Sequence, residues 1–317
     1  MSDVRLREQL PYTLKGTDFP ALGEKYQGKV RDTYRKGDRL VLITTDRLSA
    51  FDHVLTTIPF KGDLLNRLAQ FWFEKTKHVV KNHVIDVPDP CVTVARRAEP
   101  FPIEFVVRGY ITGSLWRDYE AGRDPYDLKL PTGVKKDQRF DAPMLTPSTK
   151  EQLGKHDEPV SEAEVLRRGA ISARDWQRAK EAALGLFAEG QKQAKARGLI
   201  LVDTKYEFGL VGDELVLIDE MHTPDSSRYW DAGEYDARFA KGEPQKMLDK
   251  ENIRQWLIQE RGFQGHGTPP PIPDDVRVDL AAKYLAAYEQ ITGQKFDLQV
   301  GDVTERVRGN LKKAGLL

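Results

Sequence analysis

LILVDTKYEFGLVGDELVLIDE, residues 199–220, decides how this chain is read. Its opening, Leu199–Val202, is the continuous apolar run of a buried strand. The next residues place Asp203, Lys205 and Glu207 at a spacing of two. Side chains alternate faces along a strand, so these charges share one face while Tyr206 and Phe208 point to the other. Such a row is costly if buried unpaired. It reads either as a solvated ladder of ion pairs or as the floor of a cleft, with Glu207 on a metal and Lys205 on a phosphate. Leu215–Ile218 is a second buried run and ends in Asp219 and Glu220. A two-residue turn at Gly212-Asp213 pairs Glu207 with Ile218 and puts Asp219 on the wrong face. A three-residue loop, 212–214, sets Glu207 opposite Asp219 at a Cβ separation of roughly 5 Å. If the two are joint ligands, the hairpin is expected to carry the odd-length loop or a bulge. Two carboxylates with no neighbouring His or Cys suit a hard cation. Mg2+ typically takes one or two carboxylates and leaves its other positions to water and nucleotide phosphates.

Anion-binding chemistry flanks this hairpin. Downstream, MHTPDSSRYW (221–230) offers turn residues, backbone N–H groups, hydroxyls and a guanidinium within Pro224–Arg228, a set that suits a phosphate or carboxylate or else caps a turn. Upstream, VRGYITGS (107–114) ends a strand at Arg108 and brackets Thr112 and Ser114 with Gly109 and Gly113. Near the N-terminus, GKVRD (28–32) interrupts a strand at Gly28 and adds Lys29 and Arg31, a hairpin able to approach nucleotide phosphates. It is not a Walker A loop, and no GxGxxG stands at a strand–helix junction. DRLSAFD (46–52) puts Ser49 and Asp52 in a tight polar loop, and Lys61-Gly62 precedes a helix start near another potential anion site. The six His form no HExxH, and only His156, in GKHD, is a site candidate; Cys91 reads as inert.

The length of 317 residues suggests about two domains and a large core. One cysteine excludes intrachain disulfides and Cys-based zinc clusters and fits a reducing cytoplasm. With 49 basic against 49 acidic residues, a dedicated nucleic-acid binder is not expected. Mean hydropathy is −0.56, no apolar run approaches the roughly 18 residues of a membrane span, and the charged start lacks the apolar core of a signal peptide. No coiled-coil heptads mark an oligomer, so a monomer or small homo-oligomer is expected. Short β-branched runs dominate before Gly122, and 122–159 reads as a long functional loop. Asp63–His78, Ser172–Arg197, Asp249–Arg261, Asp274–Thr292 and Gly301–Ala314 read as helices, the second with a Ser172/Asp175 cap and a Gly198 stop. Strands followed by mixed elements indicate an α+β architecture.

Six segments in this order resemble the SAICAR synthetase (phosphoribosylaminoimidazole-succinocarboxamide synthase) family, in its longer form. They are GKVRDTY (28–34), DRLSAFD (46–52), EFVVRGYITGSLW (104–116), LTPSTKEQLGKHDEP (145–159), GLILVDTKYEFGL (198–210) and LIDEMHTPDSSRYW (217–230). The resemblance implies a two-lobed, kinase-like or ATP-grasp-like α+β fold with ATP in the interlobe cleft. Residues 1–110 would be the β-rich nucleotide-covering lobe, and 111–317 would carry the metal and ribotide sites. It implies ligation of L-aspartate to the carboxylate of carboxyaminoimidazole ribotide (CAIR), with ATP and Mg2+. Gly28, Lys29 and Arg31 would then cover ATP, Glu207 and Asp219 would hold the metal, and Lys205 would lie near the reacting phosphate with Asp203 orienting it. Arg108, Ser114 and Arg228 would clamp the ribotide 5′-phosphate, with Asp225 and Ser227 alongside, and Lys150 would close over the substrates. Ser49 and Asp52 match as substrate-binding positions, and Lys61 and His156 match without a role. A small-molecule kinase on a related scaffold and a nucleotide-sensing protein are the alternatives.

Overall fold

Leu199–Val211 is one continuous strand of 13 residues and the axis of the larger sheet. The computed structural model describes residues 2–51, 53–150, 157–248 and 251–317. Along the chain lie α1 (Ser2–Gln9), β1 (Glu24–Gln27), β2 (Arg31–Lys36), β3 (Arg39–Thr44), β4 (Arg47–Ala50), β5 (His53–Thr57) and α2 (Lys61–Thr76). Next come β6 (Val84–Asp89), β7 (Val92–Arg96), β8 (Glu99–Pro100), β9 (Ile103–Tyr110), α3 (Gly113–Glu120), β10 (Arg139–Leu145), β11 (Ser148–Thr149), α4 (Glu162–Arg168) and α5 (Ala173–Ala196). The chain ends through β12 (Leu199–Val211), β13 (Glu214–Ile218), β14 (Ser227–Asp231), α6 (Tyr235–Lys241), α7 (Glu251–Arg261), α8 (Asp274–Thr292) and α9 (Val303–Lys313).

The first sheet has the order β1-β2-β3-β7-β6. The second runs β10-β9-β12-β13, with β8 and β14 on β12 and β11 on β9, and β4-β5 is a separate hairpin. α5 covers the second sheet. Ser172 Oγ accepts the Asp175 N–H at 3.1 Å to start it, and its inner face buries Trp176, Ala179, Ala183, Leu186 and Phe187. Trp176 packs on Phe105 of β9, ring centroids 5.1 Å apart. This alternation, Ile103, Phe105 and Val107 inward with Glu104, Val106 and Arg108 on the other side, frees one face of the sheet for chemistry.

Two placements depart from the sequence-based expectation. β9, expected with the N-terminal lobe, lies in the second sheet beside β12, while α9 packs Val303, Val307 and Leu311 into the core of the first sheet. The 122–159 stretch is not all loop, since β10 and β11 pair with β9 there. Among the described residues no helix is long and apolar enough to cross a membrane.

Arg306 of α9 ties the first sheet to α2. It donates to Asp63 at 2.6 and 2.8 Å and to Asp89 at 3.1 Å, with its guanidinium 3.9 Å from Cys91 Sγ, so it sits among the one His/Cys/Asp/Glu cluster of metal-holding geometry in the described residues. Burial raises the Asp63 carboxyl above the usual range and Arg306 opposes that rise. Arg306→Met strands two buried carboxylates and is expected to cost about 3–5 kcal/mol near neutrality. A raised folded-state pKa favours folding below the unfolded value, about 3.9, and weakens it above. Chemical denaturation should therefore show the deficit growing from about pH 4 to pH 8; a pH-independent deficit would contradict the assignment.

Candidate active site

The alternating charges of β12 do share one face, and its two carboxylates are largely buried while Lys205 is 35% exposed. The side chains of Asp203 and Glu207 are only 7% and 10% exposed. Asp203 is paired by its strand neighbours. Asp203 is registered with Arg108 of β9 on one side and Arg228 of β14 on the other, and both guanidiniums bond its carboxylate, Arg108 at 3.2 Å. Lys205 reaches Glu104 at 2.6 Å and Glu207 at 3.5 Å. Orienting Lys205, expected of Asp203, thus falls to Glu104, which the motif reading passed over. Burial works against the Lys205 ammonium, but Glu104, Glu207 and Asp219 outweigh it and hold its pKa above the ordinary lysine value.

The hairpin carries no odd-length loop. Val211 pairs with Glu214 and Glu207 with Ile218, so the turn is the two residues Gly212-Asp213, with Gly212 alone at positive φ (61°), the φ pattern of a type II′ turn. Asp219 still reaches the cleft, because it adopts left-handed φ (61°) just past the strand end and escapes the alternation. Arg31 bonds it there, and Lys150 bonds Glu207. Burial and then the charge of Asp219 push the Glu207 carboxyl above the usual range, against Lys205 and Lys150. Burial acts on Asp219 in the same direction, but Arg31 prevails and brings it below that range. Glu220 is raised, first by burial. The fold also brings His83 to this wall; burial and then Arg31 lower its pKa to about 4, so it is neutral.

These groups lie in a cleft of about 760 Å³ between the two sheets. Gly28, Lys29 and Arg31 enter it from the first sheet, and Lys150, Lys205, Glu207 and Asp219 from the second. Leu40, Leu42, Ala98, Pro100 and Ile218 supply an apolar wall of the kind a flat base requires. That wall assembles from strands distant in sequence and no motif announces it. Ser49 also lines the cleft. Asp52 and His156 fall outside the described residues.

A second cavity, about 230 Å³, is lined by Arg108, Asp203, Ser227 and Arg228. Arg108 is fixed by Thr146 Oγ1 at 2.8 Å and Ser114 Oγ at 3.2 Å, and Ser227 donates to Thr204 at 2.7 Å. Two guanidiniums meet about one carboxylate here, a concentration of positive charge that suits a doubly charged anion. Gly113, at φ 58°, makes room for this: a Cβ there would lie 2.7 Å from the Arg228 Nη2. Asp225 lines both cavities and receives Lys61 at 2.9 Å and the Tyr284 hydroxyl, so the anion beside Lys61 is an internal carboxylate.

A nucleotide-sized cleft beside a pocket of paired guanidiniums, in a two-lobed α+β fold, fits the class of ATP-using enzymes. The model of the SAICAR synthetase family matches residues 24–269. The phosphoribosylaminoimidazole-succinocarboxamide synthase of Legionella pneumophila (strain Paris) is 45% identical, over 96% of this chain and 99% of its own. Among solved structures, SAICAR synthase from Saccharomyces cerevisiae complexed with SAICAR aligns with TM-score 0.80 at 33% identity, over 90% of this chain and 100% of that chain. A SAICAR synthetase in complex with ADP gives 0.66 at 26% identity, over 86% and 100%. The chain belongs to the SAICAR synthetase family, a family of ATP-dependent ligases.

Gly113→Ala tests the dication pocket. The added methyl displaces the Arg228 guanidinium and forces an alanine into left-handed backbone at a cost of about 1–2 kcal/mol. Calorimetry should show affinity for a phosphorylated ribotide falling about tenfold or more while thermal melting drops only modestly; unchanged affinity would remove Arg228 from the phosphate site.

Proposed function

We propose that this protein joins L-aspartate to the carboxylate of CAIR, forming SAICAR, ADP and phosphate from ATP in de novo purine biosynthesis. The observation that carries this reading is the meeting of the two cavities at Lys205, which lines both. A γ-phosphoryl group held in one and a ribotide held in the other converge on a single ammonium. The yeast relative complexed with SAICAR and the relative in complex with ADP support the same pair of ligands.

A carboxylate is a poor electrophile, so its oxygen first attacks the γ-phosphorus, ADP leaves, and an acyl phosphate results. The aspartate amine then attacks the acyl carbon, the C–O bond to phosphate breaks, and the amine gives up a proton. Phosphoryl transfer depends on position and on neutralising charge at the equatorial oxygens. Lys29 and Arg31, with the Gly28 backbone, cover the ATP phosphates. Lys205 neutralises the transferring group, and its high pKa keeps it charged throughout. Arg108, Ser114 and Arg228 grip the ribotide phosphate, Ser227 stands alongside, and Asp203 sets the two guanidiniums. Lys150 comes from the segment after β11 and closes over the substrates, excluding water from the acyl phosphate. Ser49 faces the same cleft.

The donor set fits magnesium. Glu207 and Asp219 offer oxygen only and lie close enough that, after burial, the charge of Asp219 is the next cause raising Glu207. These two would hold Mg2+, which supplies charge neutralisation on the nucleotide phosphates.

ADP release measured with CAIR, L-aspartate and Mg·ATP, each omitted in turn, should require both co-substrates; release without either one overturns the ligase reading. Glu207→Ala is expected to abolish turnover with the fold intact by circular dichroism, and near-normal activity at saturating Mg2+ would remove Glu207 from the metal.

A further inference from the structure

Arg47 of β4 has a side chain only 4% exposed, and its guanidinium reaches the turn between β1 and β2. Its Nε donates to the Lys29 carbonyl at 3.0 Å and its Nη2 to the Gly28 carbonyl at 2.9 Å. Nη1 donates to the Lys15 carbonyl at 2.9 Å, and Nη2 also to Asp32 at 2.8 Å. Thr45, two residues earlier, takes the next carbonyl of the turn. Its Oγ1 and its N–H both donate to Val30, at 2.7 and 2.9 Å. Three successive carbonyls, of Gly28, Lys29 and Val30, are thus drawn to one short segment. We infer that Arg47 is a positioning residue for this turn, fixing its backbone to receive the outer phosphates of the nucleotide. This rests on the nucleotide cleft of the ligase reading and deepens it.

Direction is the first argument. Gly28, Lys29 and Val30 line the cleft, whereas Thr45 and Arg47 lie behind the turn, outside the cleft wall. In a trans peptide the N–H points opposite to the C=O. Carbonyls pulled toward Thr45 and Arg47 therefore turn the N–H groups of Lys29 and Val30 toward the cleft. The positive ends of two successive peptide dipoles go with them, an arrangement that suits an anion. A carbonyl oxygen facing the same space would repel a phosphate. The brace thus decides which end of each peptide the nucleotide meets.

Preorganisation is the second. Arg47 is itself clamped, because Asp32 is wholly buried and also accepts the Thr17 N–H at 2.7 Å and the Thr17 hydroxyl at 2.9 Å. Lys25 brings a second cation to that carboxylate at 3.1 Å. Burial acts to raise the Asp32 carboxyl, but the bonds from Arg47 and Thr17 prevail and hold it below the usual range. Asp46, the neighbour of Arg47, accepts the Leu14 N–H at 2.7 Å and so ties residues 14–17 to the same strand. The choice of residue is the third argument. A guanidinium presents its donors in a rigid planar fork, so one side chain spans the Gly28 and Lys29 carbonyls and Asp32 together. An ammonium on a flexible stem cannot. Without the fork, a short turn led by glycine would have to be ordered as the nucleotide binds, at a cost in affinity. Arg47 touches no substrate; it acts through the turn, and Lys29 and Arg31 remain the side chains that meet the phosphates.

Calorimetry on the full chain with Mg·ADP and with AMP tests the brace, because AMP keeps the base and lacks the outer phosphates. Arg47→Lys retains a cation for Asp32, so no buried carboxylate is stranded, but it loses the fork. It is expected to weaken Mg·ADP about 10- to 100-fold, the range set by the charge-assisted hydrogen bonds lost from the turn. Affinity for AMP should stay within about threefold. In steady-state ADP release the KM for Mg·ATP should rise by a similar factor as Mg·ADP weakens, and the KM for CAIR should stay within about threefold. Thr45→Val removes only the hydroxyl donor to Val30 and should shift Mg·ADP with the same selectivity by a smaller factor. It carries the test alone if Arg47→Lys loses its fold by circular dichroism. An equal loss of Mg·ADP and AMP affinity marks general damage to the cleft and overturns the positioning role. Unchanged Mg·ADP affinity in the variant that carries the test overturns it too. Wild-type ADP release that needs no L-aspartate sinks the ligase reading, whereas the brace is read in nucleotide binding and stands or falls separately.

Discussion

Buried charge must be compensated, and in this protein that constraint organises everything around β12. Beyond the register shift between Leu201 and Asp203, the inner face of the strand is Tyr206 and Phe208, which cannot tilt without losing their core, so Asp203, Lys205 and Glu207 stay where the alternation puts them. Their partners then have to arrive in register. Arg108 and Arg228 flank Asp203 because β9 and β14 pair with the same residue from opposite sides. Glu104 stands two positions from Val106, the cross-strand neighbour of Lys205, and reaches diagonally to its ammonium. The cations proposed to grip substrates are thus first the counter-ions that make the sheet foldable.

The same economy governs the cleft. Lys150 bonds Glu207 and Arg31 bonds Asp219, so each carboxylate has a cation within reach and each cation an anion. On the proposed assignment, binding Mg·ATP exchanges these partners: phosphate oxygens take over Lys150 and Arg31, and the metal takes over the carboxylates. Such an exchange leaves few groups desolvated without compensation, which is the main cost of binding highly charged ligands in a low-dielectric site. Neutrality of the whole chain, 49 charges against 49, therefore conceals a site built from paired opposites.

Local pattern carried much of this in the sequence. α8 spans Asp274–Thr292 as the apolar periodicity indicates, and the Ser172 cap and Gly198 stop bound α5. The charged face of β12 is legible because period two needs no tertiary information. What stayed hidden depends on non-local geometry. Strand alternation assigns Asp219 to the wrong face, and only its left-handed backbone reverses that. Glu104 is an ordinary strand residue until β9 lies beside β12. Tyr284 belongs to a helix whose periodicity reports a core and says nothing of which polar group reaches a cavity-lining carboxylate. β9 reads as one more strand of the N-terminal run, because sheet membership is set by pairing partners and not by composition.

Lys61 shows how a broken local rule can mark such a site. A helix N-terminus carries partial positive charge, and a lysine in its first position is electrostatically misplaced. Here that lysine is wholly buried, and the residue before it, Phe60, has left-handed φ (61°) and supplies no side-chain cap. The deficit is met from elsewhere. Asp46 accepts the Gly62 N–H at 2.8 Å in place of a cap, Asp63 stands in the first turn held by Arg306 of α9, and Asp225 pairs with the ammonium. Burial raises Asp46 to a pKa of about 7, with the Gly62 N–H opposing and the charge of Asp63 adding to it. A hydrophobic residue at position 61 would satisfy the helix better and let the Asp225 carboxylate drift. The arrangement is costly as local structure and sensible as support for one carboxylate, held at the junction of two cavities by elements from both ends of the chain.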